Sequence, residues 1–323
     1  MTTDTAPSFA LEPLSVHLGA EISGLDLRQP LPAALRREVW EAMLAWKVIF
    51  FRDQLLDHAQ HVAFARQFGD PTPGHVVFGG LQDFPEVYSI AKHRTANSGS
   101  GQPLLRPWTG WHTDITAAVN PPGVSILRGD ILPPYGGDTQ WTNLAVAYEA
   151  LSPPLRTFID RLTGIHRFAP ASGRQASPDY RDRVEDQTLV AEHPLVRLHP
   201  ETGERILYIS PGFLKSIVDL TPRESQGLLE LLWEHAVRPE FTVRFQWASG
   251  SVAMWDNRST AHLAPRDIFA TDFDRQLWRV TLGGEIPVGV DGVASRAIAG
   301  APIPASRAGG ASAPVAVDSR RDA

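Results

Sequence analysis

The stretch GWHTDITAAVNPP, Gly110–Pro122, sets a histidine and an aspartate two residues apart behind a tryptophan. On a strand, alternate side chains share a face, so His112 and Asp114 there would point the same way and offer two ligands to one ion. Taken alone the pair has an ordinary alternative, a solvated strand end or turn, because the chain carries 11 histidines and many aspartates. Its meaning depends on whether a third ligand lies elsewhere. His262 is the candidate, in SVAMWDNRSTAHLAP just after an apolar run of strand type. Two imidazoles and one carboxylate form the facial set of a non-haem iron(II) centre, which keeps coordination positions open for a chelating 2-oxo acid and for dioxygen. Such a cosubstrate needs a cation for its distal carboxylate. Arg275, on the strand expected after His262, offers a bidentate fork, and Thr139 offers a hydroxyl.

Composition narrows the alternatives. The 323 residues are enough for a substantial core, and 43% hydrophobic with 20% charged residues is ordinary for a globular chain. A net charge of -6 gives no support for a nucleic-acid binder, which would normally show a basic face. Without cysteine there is no disulfide, thiolate zinc site, iron–sulfur cluster or cysteine nucleophile, so any metal rests on His, Asp or Glu. MTTDTAPSFALEPL lacks the pattern of a signal peptide, and no run reaches the roughly 18 apolar residues of a membrane span. A cytoplasmic location, with no membrane partner, is the resulting expectation.

The pattern along the chain is β-rich with helices at the periphery. A helix is predicted over Leu31–Lys47, with Leu35, Val39, Met43 and Trp46 on one face. VIFFR follows as a strand, and a second helix starts at Asp57, with Gln60 completing its cap and Gly69 ending it. Short strands are predicted at EVYSIAK, VSILRGDIL, HPLVRLH, ERILYIS, FTVRFQW, SVAMWDN and QLWRVTLGGEI. GGDTQWTNL reads as a turn and strand, and Ala145 to about Thr163 as a helical hairpin. Thr221, Pro222 and Glu224 open a further helix. The polar segment Phe168–Gln187 is a candidate mobile loop over the site. Residues 1–302 read as one domain, and 303–323, rich in Ala, Gly, Ser, Pro and Arg, as a disordered tail.

WHTD (Trp111–Asp114), GGDTQW (Gly136–Trp141), WDNRSTAH (Trp255–His262) and RQLWRVTLGG (Arg275–Gly284) together resemble the TauD/TfdA family of iron(II)- and 2-oxoglutarate-dependent dioxygenases. The likeness runs from about Leu14 to Pro302. It implies a double-stranded β-helix, or jelly roll, and enzymes that commonly assemble as dimers or tetramers. It places iron on His112, Asp114 and His262, the distal carboxylate on Arg275 beside Thr139, and Trp255 near the cosubstrate. Residues inserted around Asp267–Asp274 leave Arg266 as an alternative carboxylate partner. Related halogenases lack the carboxylate that Asp114 supplies, which implies an oxygenase.

The same resemblance assigns Arg279 and His75 to an organic anion, as in the taurine and alkyl-sulfate branches. Outside it, Arg279 reads as a surface ion pair with Asp274, and His75 as an exposed loop histidine. HPETGERILY, the ESQGLLELLWEH helix and VDGVASRAIAGAP resemble the alkyl-sulfatase branch. That branch has Val-Thr-Phe after HTD, where this chain has Ile115-Thr116-Ala117, so an aromatic is lost and the pocket enlarged. Phe213, in SPGF, matches a pocket aromatic. The expected reaction is oxidative cleavage of an alkyl sulfate to aldehyde and sulfate. Sulfonate or phenoxyalkanoate oxidation, natural-product hydroxylation, a hydrolytic zinc sulfatase and a non-catalytic cupin-like metal module stand as alternatives.

Overall fold

The computed structural model describes residues 9–76, 78–92, 96–97, 103–104, 110–168, 182 and 184–306. VIFF, Val48–Phe51, is buried at every position because it lies between two layers. Alternation divides it. Ile49 and Phe51 join a core with Val39 and Met43 of helix α1 (Ala33–Trp46) and Phe64 of helix α2 (His58–Arg66). Val48 and Phe50 point the other way, into a second core with Trp141, Val243, Phe245 and Trp255. There Phe50 stacks on Phe245 at 4.0 Å and meets Trp141 edge-on at 5.3 Å.

Those two cores lie on the two faces of a seven-stranded sheet. It comprises β1 (Ala10–Pro13), β2 (Ala20–Ser23), β3 (Val48–Phe51), β4 (Tyr88–Ala91), β7 (Val124–Ile131), β15 (Val252–Asp256) and β17 (Gln276–Leu282). The spatial order is β1-β2-β3-β15-β7-β17-β4, antiparallel except for β2 with β3. Facing it is the sheet β14-β8-β16, formed by β8 (Thr139–Asn143), β14 (Thr242–Phe245) and β16 (Thr260–Leu263). Strands β9 (Thr163–Phe168), β10 (Leu189–Pro194), β13 (Leu214–Ile217) and β19 (Arg296–Ala299) pair in the order β13-β9-β10-β19. β11 (Val196–Leu198), β12 (Arg205–Leu207) and β18 (Val288–Gly289) form a small third group, and β5 (Ala96–Asn97) pairs β6 (Pro103–Leu104). The result is a mainly β jelly roll with helices outside it.

The predicted caps are present. Asp57 and Gln60 form a capping box on α2, and Thr221 and Glu224 form one on the helix Pro222–Ala236. The expected helical hairpin is α3 (Leu144–Glu149) followed by α4 (Pro153–Ile159). Among the described residues no helix is long and apolar enough to cross a membrane.

Two expectations change. His112 and Asp114 do not share a strand: His112 forms an isolated bridge to His262, and the chain then turns. Ile115 takes φ 46°, so a turn rather than a pleat brings the carboxylate back toward the imidazoles. The packed chain also extends past 302. Ile303 is buried beside Ile115 and Phe213, and its backbone exchanges two hydrogen bonds with the Asn120 amide. Most of the predicted loop, 169–181 and 183, and the tail from 307 lie outside the described residues.

Three buried histidines are held neutral. Burial, chiefly, lowers His61 to about 3 and His193 to about 4 from an ordinary 6.5, and lowers His166 as well. Their unfolded forms take up protons below pH 6.5 while the folded forms do not, so this stability is complete above that pH and is lost as pH falls. Each ring adds a slope approaching about 1.4 kcal/mol per pH unit. Urea melts between pH 7 and 4.5 will show falling stability, and His61→Leu will flatten the slope relative to wild type.

Candidate metal centre and cosubstrate pocket

The bridge that replaces the expected strand is reciprocal. His112 N donates to His262 O at 2.9 Å, and His262 N donates to His112 O at 2.7 Å. Their rings stand 4.2 Å apart. Each Nε2 faces Asp114 Oδ1, at 3.9 Å from His112 and 4.0 Å from His262, and one ligand atom from each residue fits within 4.8 Å. The sequence-predicted triad is therefore brought together.

The protonation pattern suits a metal. His112 Nδ1 lies 2.8 Å from Gly110 O, and since a carbonyl only accepts, Nδ1 carries the proton and Nε2 presents its lone pair. His262 is lowered to about 3, first by burial and then by His112, so its ring is neutral. Burial opposes ionisation of Asp114, but Arg279, both histidines and the Ser125 hydroxyl outweigh it and hold the carboxyl below its usual range. Two imidazoles and one carboxylate form a donor set that fits iron(II).

Further residues orient the carboxylate. Ser125 Oγ donates to Asp114 Oδ2 at 2.7 Å, Asn257 Nδ2 donates to Ser125 Oγ at 2.7 Å, and Trp255 Nε1 donates to Asn257 Oδ1 at 2.8 Å. Arg279 pairs with Oδ1. Ser125 and Asn257 were not anticipated. Asn257 lies inside the WDNRSTAH motif, whereas Ser125 is one hydroxyl in an apolar strand and carries no signal of its own. The neighbouring Asp256 faces elsewhere, buried against His199 at 2.7 Å and Arg258 at 2.8 Å. Ile115 follows Asp114 in left-handed backbone that a β-branched residue avoids, a cost on the order of 1–3 kcal/mol.

Arg279 lies on strand β17, and Arg275 stands immediately before that strand. Arg275 is 2% exposed; its Nε donates to Gly137 O at 2.6 Å and its Nη2 to Thr139 Oγ1 at 3.3 Å. Trp247 Nε1 also donates to Thr139 Oγ1, at 2.9 Å. With two donors on its oxygen, that hydroxyl keeps its own proton for a further acceptor. Gly137 sits at φ 66°, and a Cβ there would meet Arg275 Cδ at 3.0 Å, so glycine permits the close approach. Arg266 is exposed and lies over the Phe269 ring, so it does not replace Arg275. The inserted residues instead brace the turn: Asp267 accepts from Gly137 N at 3.2 Å and from Arg244 at 2.9 Å. Trp255 packs against His262 at 4.9 Å and Trp141 at 5.6 Å, as a support behind the metal ligands.

The residues expected to bind substrate are joined by a chain of ring contacts that runs through Tyr88 and Phe168. Arg279 is buried and pairs with Asp114, not Asp274; its Cζ lies 5.5 Å from the Tyr88 ring. His75 is 7% exposed, so it is no solvent-facing loop residue, and it stands 5.0 Å from Tyr88 and 5.9 Å from Phe168. Phe168 in turn lies 5.8 Å from Phe213, which clusters with Ile115 and Ala117. The sequence alone does not single out Tyr88 and Phe168, the two rings that make these connections.

A jelly roll carrying a two-histidine, one-carboxylate site beside a buried arginine defines a non-haem iron oxygenase of the 2-oxo-acid-dependent class. Residues 10–281 match the model of the taurine catabolism dioxygenase TauD, TfdA family, and the chain belongs to that family. It is 37% identical over 305 residues to an alpha-ketoglutarate-dependent sulfate ester dioxygenase of Pseudomonas putida, covering 91% of this chain and 96% of that one. It is 35% identical over 291 residues to an alkylsulfatase of Acinetobacter baylyi, covering 88% and 87% respectively. A solved structure described as a putative alpha-ketoglutarate-dependent taurine dioxygenase from Burkholderia xenovorans shares 60% identity and a TM-score of 0.80, over 92% of this chain and 100% of that one. The protein is accordingly an iron(II)- and 2-oxoglutarate-dependent dioxygenase that uses dioxygen, which sets aside the hydrolytic and non-catalytic alternatives.

Arg275→Ala will raise the KM for 2-oxoglutarate at least about 30-fold, the equivalent of a ~2 kcal/mol loss of one buried charged contact. It will leave Co(II) binding within a few-fold of wild type. Ser125→Ala will do the reverse, weakening Co(II) by about 10-fold with little change in that KM. Absorption titrations and succinate assays measure the two effects.

Proposed function

We propose that this dioxygenase cleaves alkyl sulfate esters oxidatively, with His112, Asp114 and His262 holding iron(II) and Arg275 with Thr139 holding the distal carboxylate of 2-oxoglutarate. Arg279 and His75 receive the sulfate, and Ile115 and Phe213 border the alkyl chain. The observation that carries this reading is Arg279 Nε, a buried donor with no acceptor among the described residues, set beside the metal carboxylate. A buried donor of that kind calls for a ligand acceptor. His75 supports it: Nδ1 accepts from Phe78 N at 3.3 Å, so the neutral ring carries its proton on Nε2 and can donate to an oxyanion.

When bound together, the iron, 2-oxoglutarate and dioxygen supply the oxidant for an unactivated C–H bond while the cosubstrate loses carbon dioxide and becomes succinate. The chain's residues position the bond. Arg279 adjoins Asp114, so an anion on its guanidinium presents the carbon next to the sulfate oxygen to the metal side of the pocket. Phe168 and Phe213 exclude water along the apolar side of the site. Hydroxylation of that carbon gives a hydroxy sulfate ester. Its C–O bond to sulfate then breaks, the hydroxyl becomes a carbonyl and releases its proton, and the products are an aldehyde and sulfate.

Two features favour an alkyl sulfate over taurine. Phe168, Phe213 and Ile115 give the site an apolar side suited to an alkyl chain, and Ala117 is smaller than the aromatic that the alkyl-sulfatase branch carries there. The relatives named for sulfate esters and for alkylsulfatase activity agree with this, whereas the 60% identical structure named for taurine favours a sulfonate as the second reading. We assign the enzyme to the cytoplasm, where 2-oxoglutarate and reduced iron are supplied, and to a homo-oligomeric form.

Purified protein with iron(II), ascorbate, 2-oxoglutarate and oxygen will form succinate and sulfate in equal amounts with medium-chain alkyl sulfates. Arg279→Gln will raise the KM for the ester by about 30-fold or more, as expected for a buried charged contact. Coupled release of sulfite from a sulfonate, or turnover confined to phenoxy acids or another carboxylate, would overturn the substrate reading and leave the iron chemistry intact.

A further inference from the structure

Two buried histidines with no part in the chemistry above grip the turn that carries Asp114. His193 on β10 places Nε2 at 2.8 Å from Thr116 O and 3.1 Å from Ala118 O. Carbonyls only accept, so Nε2 carries the proton and donates to both. On its other side, Nδ1 lies 2.7 Å from Ser295 Oγ, a hydroxyl that is also 3.0 Å from Pro287 O. His166 sits on the adjacent strand β9, where Ala191 pairs with His166 and His193 with Gly164. Its ring lies 4.9 Å from His193 at 86°, and its Nδ1 is 2.9 Å from Thr116 Oγ1. Thr116 is thus held by its carbonyl and by its hydroxyl.

Between that anchor and Asp114 stands a single residue, Ile115, at φ 46°. Ala118 N donates to Ile115 O at 3.0 Å and closes the turn. A β-branched residue keeps such a conformation only where the surroundings over-determine it. Among the described residues the hydrogen bonds of the two histidines run to Thr116, Ala118 and Ser295 and not to His112, Asp114 or His262, so their effect on the site passes through the turn.

We propose that His193 and His166 are positioning residues that clamp Thr116 and Ala118, force Ile115 into its left-handed conformation, and so aim the Asp114 carboxylate at the two imidazoles. The inference rests on Asp114 being a metal ligand. It extends the site to strands β9 and β10 and, through Ser295, to the segment after β18. Partners that orient a metal ligand are typically worth about 10–100-fold in metal affinity.

The test is Co(II) affinity by absorption titration, with a thermal melt on every variant. His193→Leu is expected to weaken Co(II) by about 10-fold or more, and to raise the succinate formed per product released. His193→Gln, which keeps one donor, should recover most of that loss. In an Ile115→Gly background, where the turn needs no enforcement, His193→Leu should cost little further. If His193→Leu proves too unstable to purify, Ser295→Ala frees the far side of the ring and should give a smaller loss that also disappears with Ile115→Gly. A lowered melting temperature with wild-type Co(II) affinity would overturn the clamp, as would an equal loss in both backgrounds. Asp114→Asn separates the two levels. If it leaves Co(II) affinity unchanged, the ligand assignment fails and the clamp with it; if it abolishes binding, failure of the histidine variants counts against the clamp alone.

Discussion

The structure depends on a pair of backbone hydrogen bonds between His112 and His262. They tie a loop that belongs to no sheet onto the edge strand β16, and they fix two imidazoles side by side before any metal is considered. A side-chain contact alone would leave each ring its rotamer freedom. A reciprocal bridge fixes both Cα positions, so a carboxylate needs only a local turn to complete the set. Gly212 preserves this arrangement, since a Cβ there would meet His112 Cβ at 3.2 Å.

Charge balance is the second constraint. The site buries one carboxylate and two arginines, and an isolated charge in such a place is costly. Asp114 is supported by Arg279 and Ser125, and Arg275 by a carbonyl and a hydroxyl. Arg275, just before β17, and Arg279 within it are four residues apart, about 13 Å of extended chain at roughly 3.3 Å each. Arg279 stands beside the triad, against Asp114, and Arg275 stands against Gly137 and Thr139. The opposite face of β17 packs Val280 and Leu282 into the core under α1 and α2. One strand therefore anchors the sheet and, with the residue just before it, carries both buried arginines.

Much of this was legible in the residues. Both capping boxes declare their helices, because a cap is a local bond between positions three residues apart. The strands around VIFF, SVAMWD and QLWRVTL show as apolar or alternating runs for the same local reason. His112, Asp114, His262 and Arg275 could be singled out because their chemistry is rare in combination and each sits in a distinctive motif. Ser125, Tyr88 and Phe168 could not. Each is an ordinary residue in an ordinary strand, and its part in the site arises from a neighbour distant in sequence.

By itself, the sequence determined the element types, the side-chain chemistry available for a metal and two anions, and the family to which the motifs belong. Those properties reside in local periodicity and residue identity. Tertiary structure alone decided that a left-handed turn rather than a strand delivers Asp114, that Arg275 rather than Arg266 is the buried cation, and that ring contacts join His75, Tyr88, Phe168 and Phe213. It also brought His166 and His193 beneath the metal turn. These outcomes depend on strand register and on which faces are buried against each other, which are fixed only when distant segments pair.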